Sequence, residues 1–284
     1  MDVPEVAISL LSLNEFVSAV TRKILFATNS FIKEFDVESN TVTILAEQND
    51  RVYGMDYDDK NNYIYFTRHF HYDVMRFRYP SQNYTLQTIC TTGINPGDIA
   101  IDYVLGHVYF THDRNKISRC NLDGSNAVDI STTLNFPFSL GLDVANRKWS
   151  KKKIIRSKFD LSQKQEITTQ PKEVSCLDLD LEEQMLYWIT DASDDIKSAN
   201  FDGTDIKTVL NINPHGYKYG NIAISISRNY IYFTEVGKLF WMNKTTATSP
   251  SLLYNDTGRI DSLYLYDYIG EKLHYFSLMK NDIS

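Results

Sequence analysis

Residues 185–203 read Met-Leu-Tyr-Trp-Ile-Thr-Asp-Ala-Ser-Asp-Asp-Ile-Lys-Ser-Ala-Asn-Phe-Asp-Gly. The first six are aromatic, β-branched or long apolar residues suited to a pleated, half-buried surface. The Ala-Ser-Asp-Asp cluster then turns the chain. A second strand over 196–201 ends at Asp202-Gly203, a dipeptide that favours the left-handed backbone of a tight hairpin turn. One hairpin would say little about the whole chain, but this one recurs.

With Tyr187 as anchor, equivalent positions are Phe26, Tyr65, Tyr109, Tyr232 and His274. From Phe26 to His274 the spacings are 39, 44, 78, 45 and 42 residues, and since 78 is twice 39, one copy has lost its aromatic strand near residues 148–153. Seven residues before the anchor stands Asp58, Asp102, Asp180 or Asp267, with Ser225 in one copy and Asp143 in the damaged one. An acid that recurs once per copy has the distribution of a structural group. Each copy reads as four short strands, typified by 98–102, 108–111, 116–122 and 128–131. Four strands in a repeat of this length is the period of a propeller blade.

Inner strands begin near Val52, Gly97, Phe138, Val174, Tyr219 and Arg259. The expected fold is therefore all-β, a six-bladed β-propeller of four-stranded antiparallel blades over residues 21–284, with the unit at 138–168 degenerate. Residues 1–20 have no counterpart in the repeat and are expected to be a leader or linker. The first blade starts in mid-repeat, and the segment from Arg259 to Tyr266 is available as its missing inner strand, which would remove an open edge. The segment over 273–276 competes for a place in that closing blade.

Composition agrees with one globular all-β domain: 43% of residues are hydrophobic, with 19 Tyr and 15 Phe among them. The net charge of -7 opposes a nucleic-acid partner held through phosphates. The basic run over 147–153 reads as a solvated loop in the damaged unit. No apolar stretch reaches the roughly 18–20 residues needed to span a bilayer. Three cysteines, Cys90, Cys120 and Cys176, have no metal spacing and permit at most one internal disulfide. Acceptor sequons at Asn83, Asn243 and Asn255 fit an extracellular protein.

The repeat resembles the YWTD, or low-density lipoprotein receptor class B, repeat. The likeness covers about 23–276; Tyr232-Phe233-Thr234-Glu235 comes nearest the motif, and 187–191 carries one extra residue. The resemblance implies six blades, a structural role for Tyr65, Tyr109, Tyr187, Trp188 and Tyr232, and an extracellular or cell-surface receptor or matrix protein that docks proteins or neighbouring modules. No Cys-rich ligand-binding or growth-factor-like module accompanies the repeats here.

Strand alternation supplies an independent argument for the binding surface. Loops after the second and fourth strands of every blade emerge on one face. That face should carry Arg68, His69, Phe70, His71, Tyr72, His112, Arg114, Phe136, His215, Tyr217 and Tyr219, and aromatic and Arg side chains are typical interface anchors. Four of the six histidines fall there, which either makes docking respond to mild acid or is the chance placement of strand-end and loop histidines. An inert structural or decayed receptor fragment is one alternative reading, and a calcium-dependent six-bladed propeller hydrolase is the other. Neither a nucleophile elbow nor a His-Glu-x-x-His run supports it, so no catalytic residue, metal or cofactor is expected.

Overall fold

The computed structural model describes residues 21–268 except 82, 133–136, 138, 143–147, 151–152, 158–164, 170–173, 191–194, 213–222, 228 and 246–248. The chain begins with β1 (Thr21–Thr28), β2 (Phe31–Asp36) and β3 (Thr41–Glu47). Runs of four strands follow: β4 (Met55–Asp58), β5 (Tyr63–Arg68), β6 (Asp73–Arg78) and β7 (Gln87–Thr91), then β8 (Ile99–Asp102), β9 (His107–His112), β10 (Lys116–Asn121) and β11 (Val128–Ser131). The next run is β12 (Ser139–Gly141), β13 (Lys148–Ser150), β14 (Lys153–Arg156) and β15 (Gln165–Thr169). Last come β16 (Val174–Asp180), β17 (Met185–Thr190), β18 (Asp195–Asn200), β19 (Lys207–Asn211), β20 (Ile224–Ile226), β21 (Tyr230–Glu235), β22 (Lys238–Asn243), β23 (Ser251–Asn255) and β24 (Ile260–Tyr268).

These strands make four-stranded sheets in which sequence neighbours pair: β4 to β7, β8 to β11, β12 to β15, β16 to β19 and β20 to β23. The remaining sheet has the order β24-β1-β2-β3, so the far end of the described chain supplies its inner strand. Antiparallel pairing runs from Thr21 opposite Tyr268 to Thr28 opposite Ile260. The inner strands touch in the order β4, β8, β12, β16, β20, β24 and back to β4, which closes the sheets into a ring, a β-propeller. Residues 273–276 lie outside the described residues.

Burial follows from this geometry. A second strand lies between two neighbouring sheets, so it is covered on both faces: Tyr65, Tyr109 and Trp188 are 0% exposed, and Tyr187 and Tyr232 are also buried. Every third strand carries a branched apolar residue at one equivalent place, Ile32, Val74, Ile117, Ile154, Ile196 or Leu239, and all six are 0% exposed. Directly after each of them the register toward the fourth strand shifts. A shift of this kind sharpens strand twist, and its recurrence gives each wedge the same outer curl.

The basic run requires a correction. Residues 148–150 form β13, with Trp149 opposite Leu140 on one side and Ile155 on the other. Backbone N–H and C=O groups complete the ladder there without a Tyr-Phe-Thr segment, so the unit has four strands, although its ladder is the least extended of the six.

Repeated side-chain devices set the turns. Asp58 Oδ1 accepts the Asn61 N–H, Asp102 Oδ1 those of Val104 and Leu105, and Asp180 Oδ1 that of Glu183. The recurring acid thus caps the turn between first and second strands. At the next hairpin, Asp123 Oδ1 accepts from Ser125 and Asp202 Oδ1 from Thr204, while Gly124 and Gly203 both sit at φ 87°. A Cβ on Gly124 would stand 2.0 Å from the Ile89 carbonyl oxygen of the preceding sheet, and one on Gly203 2.2 Å from that of Ile167. The Asp-Gly turns therefore serve the seams between sheets as well as their own hairpins.

Candidate functional site

Backbone hydrogen bonds show which loops share a face. Gln48 N donates to Ser30 O, His69 N to Arg51 O, Thr92 N to Tyr72 O, and Asp113 N to Ile94 O. Each joins a loop after a second strand to one after a fourth strand. Asp50 fixes the 69–72 loop: its carboxylate accepts the N–H groups of Phe70 and His71 and lies 2.6 Å from His71 Nδ1. Arg68 and Asp73 close the base of this loop, with Arg68 Nε 2.8 Å from Asp73 Oδ1.

On this frame Phe70 is 63% exposed, Tyr72 40% and Ile94 55%. His69 lies at the back of the cluster, packed edge-on against Tyr53 and Phe70. Arg114 is exposed in the next loop, at φ 60°. Ile94 is a contributor that the sequence reading missed, since an apolar residue inside Thr-Thr-Gly-Ile-Asn-Pro carries no alternation signal; only its loop position after a fourth strand pointed to it. Phe136, His215, Tyr217 and Tyr219 lie outside the described residues.

His112 does not stand on the face. It is buried, its Nδ1 accepts the Gly93 N–H at 3.1 Å, and its Nε2 lies 2.6 Å from Ser118 Oγ. The reason is its place at the end of β9, where alternation puts the ring on the same sheet face as Lys116 and Ser118 of β10. Ser118 Oγ in turn donates to Asp129 Oδ1 at 2.5 Å. With Nδ1 accepting, Nε2 carries the proton and donates to the hydroxyl, whose own proton goes to the carboxylate. This polarity is the reverse of a base-activated serine, although His, Ser and Asp line one open cleft with Thr91, Gly93 and Lys116. The Ser118 hydroxyl, assisted by Lys116, holds Asp129 below the usual carboxylate range.

A second set of carboxylates was not singled out in the sequence. Asp56, Asp98 and Asp178 sit at or beside the inner strands, and each reaches the next inner strand. Asp56 Oδ2 accepts from Ile101 N, Asp98 Oδ2 from Leu140 N and Asp178 Oδ2 from Ile226 N, all at 2.7 Å. Ser139 Oγ continues the relay by accepting from Leu177 N at 3.2 Å. Protein encloses these groups, although each keeps some surface in the channel. Burial raises Asp56 and Asp178 to about 7 and Asp98 to about 6, the donated N–H groups opposing it. Their hydrogen bonds explain them as fasteners between sheets. Among the described residues, no group of three or more His, Cys, Asp or Glu is arranged to hold a metal ion.

No protein-family model matches the chain. A solved structure titled "Crystal structure of Nidogen/Laminin Complex" superposes with a TM-score of 0.75 at 16% sequence identity, covering 86% of this chain and 98% of that one. At this identity the likeness establishes the fold, a β-propeller of antiparallel four-stranded blades. No helix among the described residues is long and apolar enough to cross a membrane.

Proposed function

We propose that this chain is a non-enzymatic protein-binding module, a six-bladed propeller of the YWTD kind within an extracellular receptor or matrix protein, and that it docks a protein or neighbouring module through the face carrying Phe70. The observation that carries this reading is the exposed cluster of Phe70, Tyr72 and Ile94 on loops locked by backbone and Asp50 hydrogen bonds. Rigid aromatic side chains offer contact area at little entropic cost, as interface anchors do. Arg114 on the adjacent loop extends the surface, as would Phe136, His215, Tyr217 and Tyr219. The solved propeller it resembles comes from a structure titled as a complex of two proteins, which agrees with a docking role.

The sequons fit the same arrangement. Asn83 and Asn243 lie beside loops that follow third strands, on the face away from Phe70, whereas Asn255 ends a fourth strand on the Phe70 face, two sheets round the ring from β7. Glycans at Asn83 and Asn243 would leave the Phe70 cluster open.

The test compares two double variants as bait for chemical crosslinking in secreted and membrane extracts. Phe70→Ser with Tyr72→Ser removes the docking cluster, and Val104→Ser with Leu105→Ser alters an exposed apolar pair at a turn on the opposite face. The first should lose captured protein at least about tenfold with its melting temperature unchanged, and the second should retain it. Equal capture by both would remove the assignment of the face.

A further inference from the structure

Cys90 and Cys120 belong to different sheets, yet their sulfur atoms lie 3.5 Å apart. Cys90 is half-buried on β7, the outermost strand of its sheet, and Cys120 is fully buried on β10 of the next. The backbones on either side cannot drift apart freely. Gly124 presses on the Ile89 carbonyl next to Cys90, and the Leu122 carbonyl, two residues after Cys120, accepts hydrogen bonds from Tyr65 Oη at 3.1 Å and Arg76 Nη1 at 2.9 Å. Val74, Val108 and Phe110 pack around the pair. The third thiol, Cys176, belongs to a distant sheet, where burial beside Asp98 and Asp178 pushes it up.

We propose that Cys90 and Cys120 are a disulfide-forming pair, a redox modification site that staples two neighbouring sheets across their outer seam. Closing 3.5 Å to a bonded distance of about 2.05 Å requires small rotations about the two Cα–Cβ bonds. Glutathione disulfide, or another disulfide of that class, is the oxidant. The Cys90 thiolate attacks one sulfur of glutathione disulfide, forming a mixed disulfide and releasing one glutathione thiolate, which takes up the Cys90 proton. Cys120 then gives up its proton and attacks the Cys90 sulfur, and the second glutathione leaves as a thiolate that accepts that proton. One disulfide is consumed, one is formed, and two thiols are produced. The order of attack follows from exposure, since only Cys90 can be approached from solvent. The hydrogen bond from Cys120 also lowers the Cys90 thiol and so favours its thiolate.

The test uses the full chain equilibrated in glutathione disulfide, blocked with an alkylating reagent under denaturing conditions and mapped by mass spectrometry of its peptides. A crosslink between the peptides holding Cys90 and Cys120 is expected, with free thiols falling from three to one, that of Cys176. Cys176→Ser should keep the crosslink and leave no free thiol. The oxidised chain should melt several degrees above the reduced chain, because the bond closes a chain segment with ends 30 residues apart, and Cys90→Ser should abolish that difference. Three free thiols after oxidation, a glutathione adduct that stays on Cys90, or a crosslink involving Cys176 would each overturn the proposal. The mapping of the unaltered chain decides the matter even if Cys90→Ser folds poorly, and it does not depend on the docking face.

Discussion

At the scale of single residues, the channel carboxylates set a pH dependence whose sign can be derived. Asp178 has its pKa raised to about 7 from 3.8, chiefly by burial, against the opposing N–H donors of Ile226 and Leu179 and with reinforcement from Asp98 and Asp180. Asp56, Cys176 and Tyr264 also face this region of the channel. A carboxyl raised in the folded state binds a proton that the unfolded chain has already released. Its contribution is therefore fully present below about pH 4 and lost as pH rises through about 7. Asp178→Asn keeps an oxygen for the Ile226 N–H and removes the charge. The variant should match the wild type near pH 4 and exceed it near pH 8 by about 1–2 kcal/mol, allowing for channel water. Denaturant titrations at the two pH values measure this, and a gap independent of pH would contradict it. These acids escaped notice in the sequence because the repeat was aligned on the turn-capping Asp58, Asp102 and Asp180. The channel position is offset by two residues at Asp56 and Asp178 but by four at Asp98, so no column formed.

Among elements, the aromatic second strand was legible because the alternation of apolar residues coincides with a turn at each end. The damaged unit was misjudged for the converse reason: the aromatic column was treated as the signature of the second strand, although what builds β13 is backbone pairing. The more faithful marker was the branched residue before each third-strand bulge, which Ile154 preserves where the Tyr is lost. The Asp-Gly hairpins were legible as turns but not as seams between sheets, since a chain alone does not show what lies against a glycine. Two substitutions separate these roles. At Gly106, φ is 72° and the nearest atom to an added Cβ is 4.0 Å away, so Gly106→Ala meets only backbone strain, about 1 kcal/mol. Gly124→Ala adds a Cβ that would sit 2.0 Å from the Ile89 oxygen and must push the adjoining sheets away from each other, for a loss of about 2–4 kcal/mol. Equal losses in urea titrations would mean that the seam at Gly124 yields freely.

For the whole molecule, closure decides how stability is shared. In an open array each repeat leans on its neighbours, and removing a terminal strand frays the last unit. Here β24 completes the sheet of β1 to β3 and also touches β20 and β4, so it is the keystone of two seams as well as one sheet. Its Ile260 and Leu263 are buried in a cluster with Ile24, Phe26 and Tyr232, residues drawn from the two ends of the ring. The sequence allowed this closure because the first blade lacks an inner strand and the segment from Arg259 supplies one. It could not choose between residues 24–28 and 273–276 for the aromatic strand beside that segment, as each contains strand-forming residues; the register of Arg22 opposite Asp267 through Ala27 opposite Ser262 puts β1 there. A chain ending at Thr257 should therefore lose its single cooperative unfolding transition, not merely some of its amplitude, since β1 becomes an unpaired apolar edge that promotes association. A chain ending at Tyr268 retains β24 and should keep that transition. Thermal unfolding followed by circular dichroism and by size-exclusion chromatography tests both. A monomeric, cooperative chain ending at Thr257 would show that the ring holds without its closing strand, and that the sheets behave as an open stack.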